Sequence, residues 1–140
     1  MDGETKLTSP NDRALLLTIK RAARLCLGFI WIYLGLVPKL LTPVPFEQDV
    51  VQRTGLYWSS PSATIRAIGV FEIGLGLWLI TGFRERLACI VTSGFLVALM
   101  LLAVKQEPLL LAGPFGGMAK NAAVLLLAWI VCRISRLQPS

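Results

Sequence analysis

The chain has 140 residues, 55% of them hydrophobic and 16% charged, with a formal net charge of +6 and a mean hydropathy of +0.68. One domain of this size is too apolar to be soluble, so the composition reads as an integral membrane protein. The basic residues gather at the ends of apolar segments rather than among aromatics on a polar face, which argues against a nucleic-acid partner, and the absence of histidine excludes bis-histidine haem, histidine-bound di-iron and most zinc sites.

Residues 1–19 open with Asp2, Glu4 and Lys6, lack the basic-then-apolar order of a signal peptide, and read as a short solvated cytoplasmic tail. Residues 20–140 read as a single membrane domain with spans near 20–41, 63–83, 87–104 and 119–133. The expected fold is therefore all-α: an integral membrane four-helix transmembrane bundle with a short interfacial helix between helices 1 and 2.

In the first span Gly28, Trp31, Gly35 and Lys39 fall on one helical stripe, whose two glycines invite the close approach of another helix. Pro38 removes the hydrogen bond to the Leu34 carbonyl and is expected to kink or end the helix beside Lys39. The connector from Thr42 to Ser62 contains Pro43, Pro45 and Pro61 and cannot span. Within it Phe46 to Thr54 is expected to form about two helical turns, a lid lying across the membrane surface, followed by Tyr57 and Trp58 at the interface.

The second span places Gly69, Glu72 and Gly76 on one face, so the carboxyl of Glu72 points where the glycines admit a neighbour. A charge near the bilayer centre costs about 2.5–3.5 kcal/mol on insertion scales and calls for a partner. After the charged turn Arg84-Glu85-Arg86 comes the third span. Leu109 to Met118, broken by Gly113-Pro114 and Gly116-Gly117, is expected to be an irregular or re-entrant lead into the fourth span. On that last helix Asn121, Leu125, Ala128 and Cys132 are expected to face inward.

Cys26, Cys89 and Cys132 are isolated in sequence and read as free thiols packing as small apolar residues. Four spans put both termini on one side. The Lys and Arg split 9 to 5 in favour of that side, which accounts for all 14 and makes the termini cytoplasmic. Glu72 then lies roughly 13 Å below the outer end of its helix, at 1.5 Å per residue.

Three motifs in this order resemble the DoxX-like family of small four-helix bacterial membrane proteins. They are Trp31-Ile32-Tyr33-Leu34-Gly35-Leu36-Val37-Pro38-Lys39, Gly69-x-x-Glu72-x-x-Leu75-Gly76, and Pro114-Phe115-Gly116-Gly117 followed by Lys120-Asn121. The resemblance covers about residues 21–134. It implies a four-helix bundle in the bacterial inner membrane. The founding member is similar to a subunit of a thiosulfate:quinone oxidoreductase, and some distant eukaryotic relatives look like assembly factors.

The candidate ligand-binding residues are Glu72, Lys39, Glu47, Asn121 and Trp31. Glu72 reads either as a carboxyl lining a cavity or as a structural tie to Asn121, Trp31 or a backbone carbonyl. Lys39 is expected to snorkel outward. Glu47 is its easier partner, because pairing with Glu72 would require the lysine to turn inward. Asn121 reads as hydrogen-bonding glue or as part of the rim, and Trp31 as an interfacial anchor or a pocket wall.

The resemblance carries the functional expectation, a membrane protein that binds a quinone-like or other amphipathic ligand in an outward-opening polar cavity. It would serve an oxidoreductase partner that does the chemistry, with no metal and no covalent cofactor. The alternative is a non-catalytic assembly, interaction or lipid-binding protein. The bilayer is the expected environment in both, and a homo-oligomer stays open.

Overall fold

The computed structural model describes residues 9–106 and 117–137, and among them there are five α-helices and no strand. Most of the expected re-entrant stretch from Leu109 lies outside the described residues. The first helix, α1, is Pro10–Leu36. It begins at Pro10 rather than near Lys20 because Ser9 caps it: the Ser9 side chain accepts from the Asn11 amide, proline follows, and Asp12 sits in the first turn. Half of the expected polar tail is therefore helical.

The helix does not stop at Pro38. It widens into a π-helical turn, Val37–Leu41, closed by the Thr42 amide donating to the Val37 carbonyl at 2.8 Å. A short helix, α2, Pro45–Thr54, follows and ends at Gly55, whose φ of 66° lies in the left-handed region. Then come α3, Pro61–Thr81, capped by Ser60; α4, Glu85–Gln106; and α5, Gly117–Leu137.

By length and apolarity Pro10–Leu41, Pro61–Thr81 and Glu85–Lys105 can each cross a membrane. Helix α5 carries Lys120 near its start and Arg133 and Arg136 near its end. All four long helices share one apolar core. Ala23, Leu27 and Trp31 of α1 meet Leu75 and Leu79 of α3, Ala88, Cys89 and Leu96 of α4, and Val124, Ala128 and Val131 of α5. Phe29, Val70, Ile90, Leu101, Leu126 and Trp129 face outward, an apolar exterior suited to lipid.

Helices α1 and α3 run antiparallel and touch through two glycine pairs, Gly28 with Gly76 and Gly35 with Gly69. A Cβ at Gly76 would stand 2.6 Å from the Gly28 carbonyl oxygen, and one at Gly69 would stand 2.7 Å from that of Gly35. No side chain fits at either contact, so the backbones meet directly. On α5 the buried stripe is Val124, Ala128, Val131 and Ser135. Asn121, Leu125 and Cys132 flank it half-buried, so the inward face is turned by about one residue from the expected one. Spacings of four, three and four put 124, 128, 131 and 135 under one another, and the α-carbon at 128 belongs to both stripes.

Candidate functional site

The site starts from Pro38. Without an amide proton it leaves the Leu34 carbonyl open, and the Lys39 ammonium takes that acceptor at 3.3 Å. The π-helical turn swings Lys39 toward α3, where its Cβ packs into the space left by the missing side chain of Gly69. From there Lys39 Nζ reaches Glu72 Oε2 at 2.9 Å and Glu47 Oε1 at 3.8 Å.

The outward-snorkelling expectation is thus corrected. Lys39 turns inward, its side chain 12% exposed, and pairs more closely with Glu72 than with Glu47. The physical reason is the depth of Glu72, whose side chain is 3% exposed: a carboxylate removed from water needs a charge beside it, and the glycine contact brings α1 close enough to supply one. Glu47 on α2 is joined to the same ammonium more loosely. Lys120 is exposed at the start of α5.

Beside this pair a cavity of about 240 Å³ lies beneath α2. Lys39 and Glu47 form its polar corner, Phe46, Val50 and Val51 its roof, Ile65 and Ile68 one wall, and Leu99, Leu102 and Ala103 the other. Glu72 stands behind Lys39 rather than in the wall. Glu47 Oε2 is buried and has no hydrogen-bond partner among the described residues.

Trp31 and Asn121 are not part of this wall. Trp31 is 1% exposed and packs on Phe95 with ring centroids 6.0 Å apart, while Phe95 meets Phe71 edge-on at 4.9 Å. It is a core residue rather than an interfacial anchor, and its Nε1 lacks a partner among the described residues. Asn121 is half-buried and makes no hydrogen bond to Glu72, Lys39 or Trp31, so the tie to Glu72 is an ammonium and not an amide.

A second polar cluster, at the opposite end of the long helices, was not anticipated. Glu85 Oε1 accepts from Lys20 Nζ at 2.7 Å and from Ser135 Oγ at 2.6 Å, and Glu85 Oε2 accepts from Arg24 at 3.1 Å. Arg86 donates to the Ser135 carbonyl. One carboxylate thereby ties α1, α4 and α5. Gly82, with a φ of 74°, leaves the room that the Arg24 guanidinium occupies. The signal was present in part, since Lys20 and Arg24 lie four apart on one helical face, but nothing local says that Glu85 stands opposite them.

Cys89 in the core and Cys132 packed against it are also neighbours across α4 and α5, although they are far apart in sequence. Among the described residues no group of three or more His, Cys, Asp or Glu gathers to hold a metal ion.

The arrangement places one ammonium and one carboxylate at the corner of an otherwise apolar cavity. No curated protein and no solved structure matches the chain. Residues 28–129 match the family model described as the DoxX-like family. That stretch includes both glycine pairs, the proline break, Lys39, Glu47 and Glu72, and on this match the chain belongs to the DoxX-like family.

Proposed function

We propose that this protein is a four-helix bundle of the bacterial inner membrane, with α1, α3, α4 and α5 as its spans, α2 as a lid on the outer surface and both termini in the cytoplasm. It binds a quinone-like or other amphipathic molecule in the cavity beneath α2 and acts as the membrane subunit or accessory of an oxidoreductase partner. The observation that carries this reading is the cavity itself, with one ammonium and one carboxylate at a single corner and apolar side chains around the rest. At about 240 Å³ it is smaller than the roughly 300–1,000 Å³ of sites that enclose a whole drug-sized ligand. It therefore holds a head group, and the apolar tail leaves between α3 and α4 into lipid.

The test is organic extraction and mass spectrometry of the detergent-purified protein. An isoprenoid quinone or another amphiphile is expected at a defined ratio to protein. Ala103→Trp, which fills the cavity, should lose it, and Leu101→Trp, on the exposed face of the same helix, should keep it. Equal amounts in both variants, or none in the native protein, would overturn the reading.

A second reading, a non-catalytic assembly or interaction protein, draws on the pairing of Lys39 with the protein's own Glu72 and Leu34. In that case the ion pair is internal glue, no amphiphile co-purifies, and Glu72→Gln remains fully functional in cells.

A further inference from the structure

Three acceptors surround the Lys39 ammonium: the Leu34 carbonyl at 3.3 Å, Glu72 Oε2 at 2.9 Å and Glu47 Oε1 at 3.8 Å. All three belong to the protein itself, and the two carboxylates among them carry more negative charge than one ammonium balances. Glu47 lines the cavity, and its Oε2 is buried without a partner among the described residues. Behind it Glu72 Oε2 receives the ionic contact without the alignment of a hydrogen bond. Two carboxylates thus share the Lys39 ammonium.

An acceptor atom shut off from water and left empty destabilises the fold, and a guest that donates to it recovers that loss. Among the described residues, Lys39 and Glu47 are the polar groups of the cavity wall. Its other lining side chains are Phe46, Val50, Val51, Ile65, Ile68, Leu99, Leu102 and Ala103, none of which carries a polar group. We infer that the cavity selects an amphiphile whose head group donates hydrogen bonds, either an alkylammonium or a hydroxylated ring, over one whose head only accepts, and that Glu47 is the selecting residue. The inference rests on the reading of the cavity as a ligand site and specifies its ligand class. For a redox carrier it means that the dihydroxy form binds more tightly than the dicarbonyl form.

The experiment uses two matched pairs of probes with the full-length protein in a nonionic detergent. Dodecylammonium is compared with dodecyltrimethylammonium, which has the same charge and no donor. A decyl-substituted hydroquinone is compared, anaerobically, with its quinone. Binding is read by titration calorimetry and by the shift in melting temperature. The donor member of a pair should bind about tenfold or more tightly than its counterpart. Glu47→Ala should erase the preference, while Asp49→Ala, an exposed acid on the same helix, should keep it. Preference in the amine pair alone assigns a cationic head, and preference in the ring pair alone a hydroxylated one. Equal binding within both pairs, or a tighter quinone, overturns the donor rule and leaves the cavity reading standing. Binding of no probe by the folded protein overturns both.

Discussion

Lys39 Nζ stands 2.9 Å from Glu72 Oε2, which joins the π-helical end of α1 to the middle of α3 through a pair almost closed to solvent. Removing one member of such a pair leaves a charge uncompensated and costs about 3–5 kcal/mol, whereas removing both can be nearly neutral. Lys39→Met should therefore lower the melting temperature in detergent sharply, and Lys39→Met combined with Glu72→Leu should recover most of the loss. Glu72→Gln, which keeps an acceptor near Lys39, should melt higher than Glu72→Leu. Additive losses in the double variant would show that the pair is not coupled.

The glycine contacts set the distance between α1 and α3. Gly69→Ala and Gly76→Ala each drive a Cβ into a backbone carbonyl of α1, at 2.7 Å and 2.6 Å. Overpacking of this kind costs about 1–3 kcal/mol. Gly74 has nothing within 4 Å of its would-be Cβ, so Gly74→Ala should gain up to about 1 kcal/mol from helix propensity alone. Thermal melts of the three variants check the contrast, since a uniform gain would place α1 further away.

At the other end Glu85 holds Lys20, Arg24 and Ser135 at once, with its side chain 16% exposed. Glu85→Gln should destabilise by about 1–3 kcal/mol, and Ser135→Ala by about 1 kcal/mol. A double-mutant cycle between Lys20 and Glu85 should return a coupling above the roughly 0.2–1 kcal/mol of exposed pairs. A coupling near zero would mean that the cluster is solvated in the membrane-embedded protein.

Topology can be read with labels. Trp58 is fully exposed in the turn between α2 and α3. Trp58→Cys, in a variant with Cys26, Cys89 and Cys132 replaced by alanine, should react with a membrane-impermeant maleimide added to intact spheroplasts. A cysteine appended after Ser140 should react only after lysis. The reverse pattern would invert the proposed orientation.

Much of the architecture is legible in the residues. Hydropathy marks the long helices, Pro38 marks the break, and Ser60-Pro61 and Gly82 mark the ends of α3. The stripe of Gly69, Glu72 and Gly76 points to the buried face of that helix. These features depend on neighbours a few positions away along the chain, through periodicity and backbone hydrogen bonding, and a sequence carries them directly.

The partner of Glu72 is different in kind. That Lys39 turns inward depends on a π-helical turn, on the antiparallel register of Gly35 against Gly69, and on the depth at which α3 holds its carboxyl. The Glu85 cluster likewise needs the middle of α1 and the end of α5 to arrive beside the start of α4, and the adjacency of Cys89 and Cys132 needs α4 beside α5. The sequence by itself determined a helical membrane protein with one carboxyl turned inward. The tertiary structure alone decided which charge meets it, because an ion pair forms over a few ångströms of space between residues that the chain separates by whole helices.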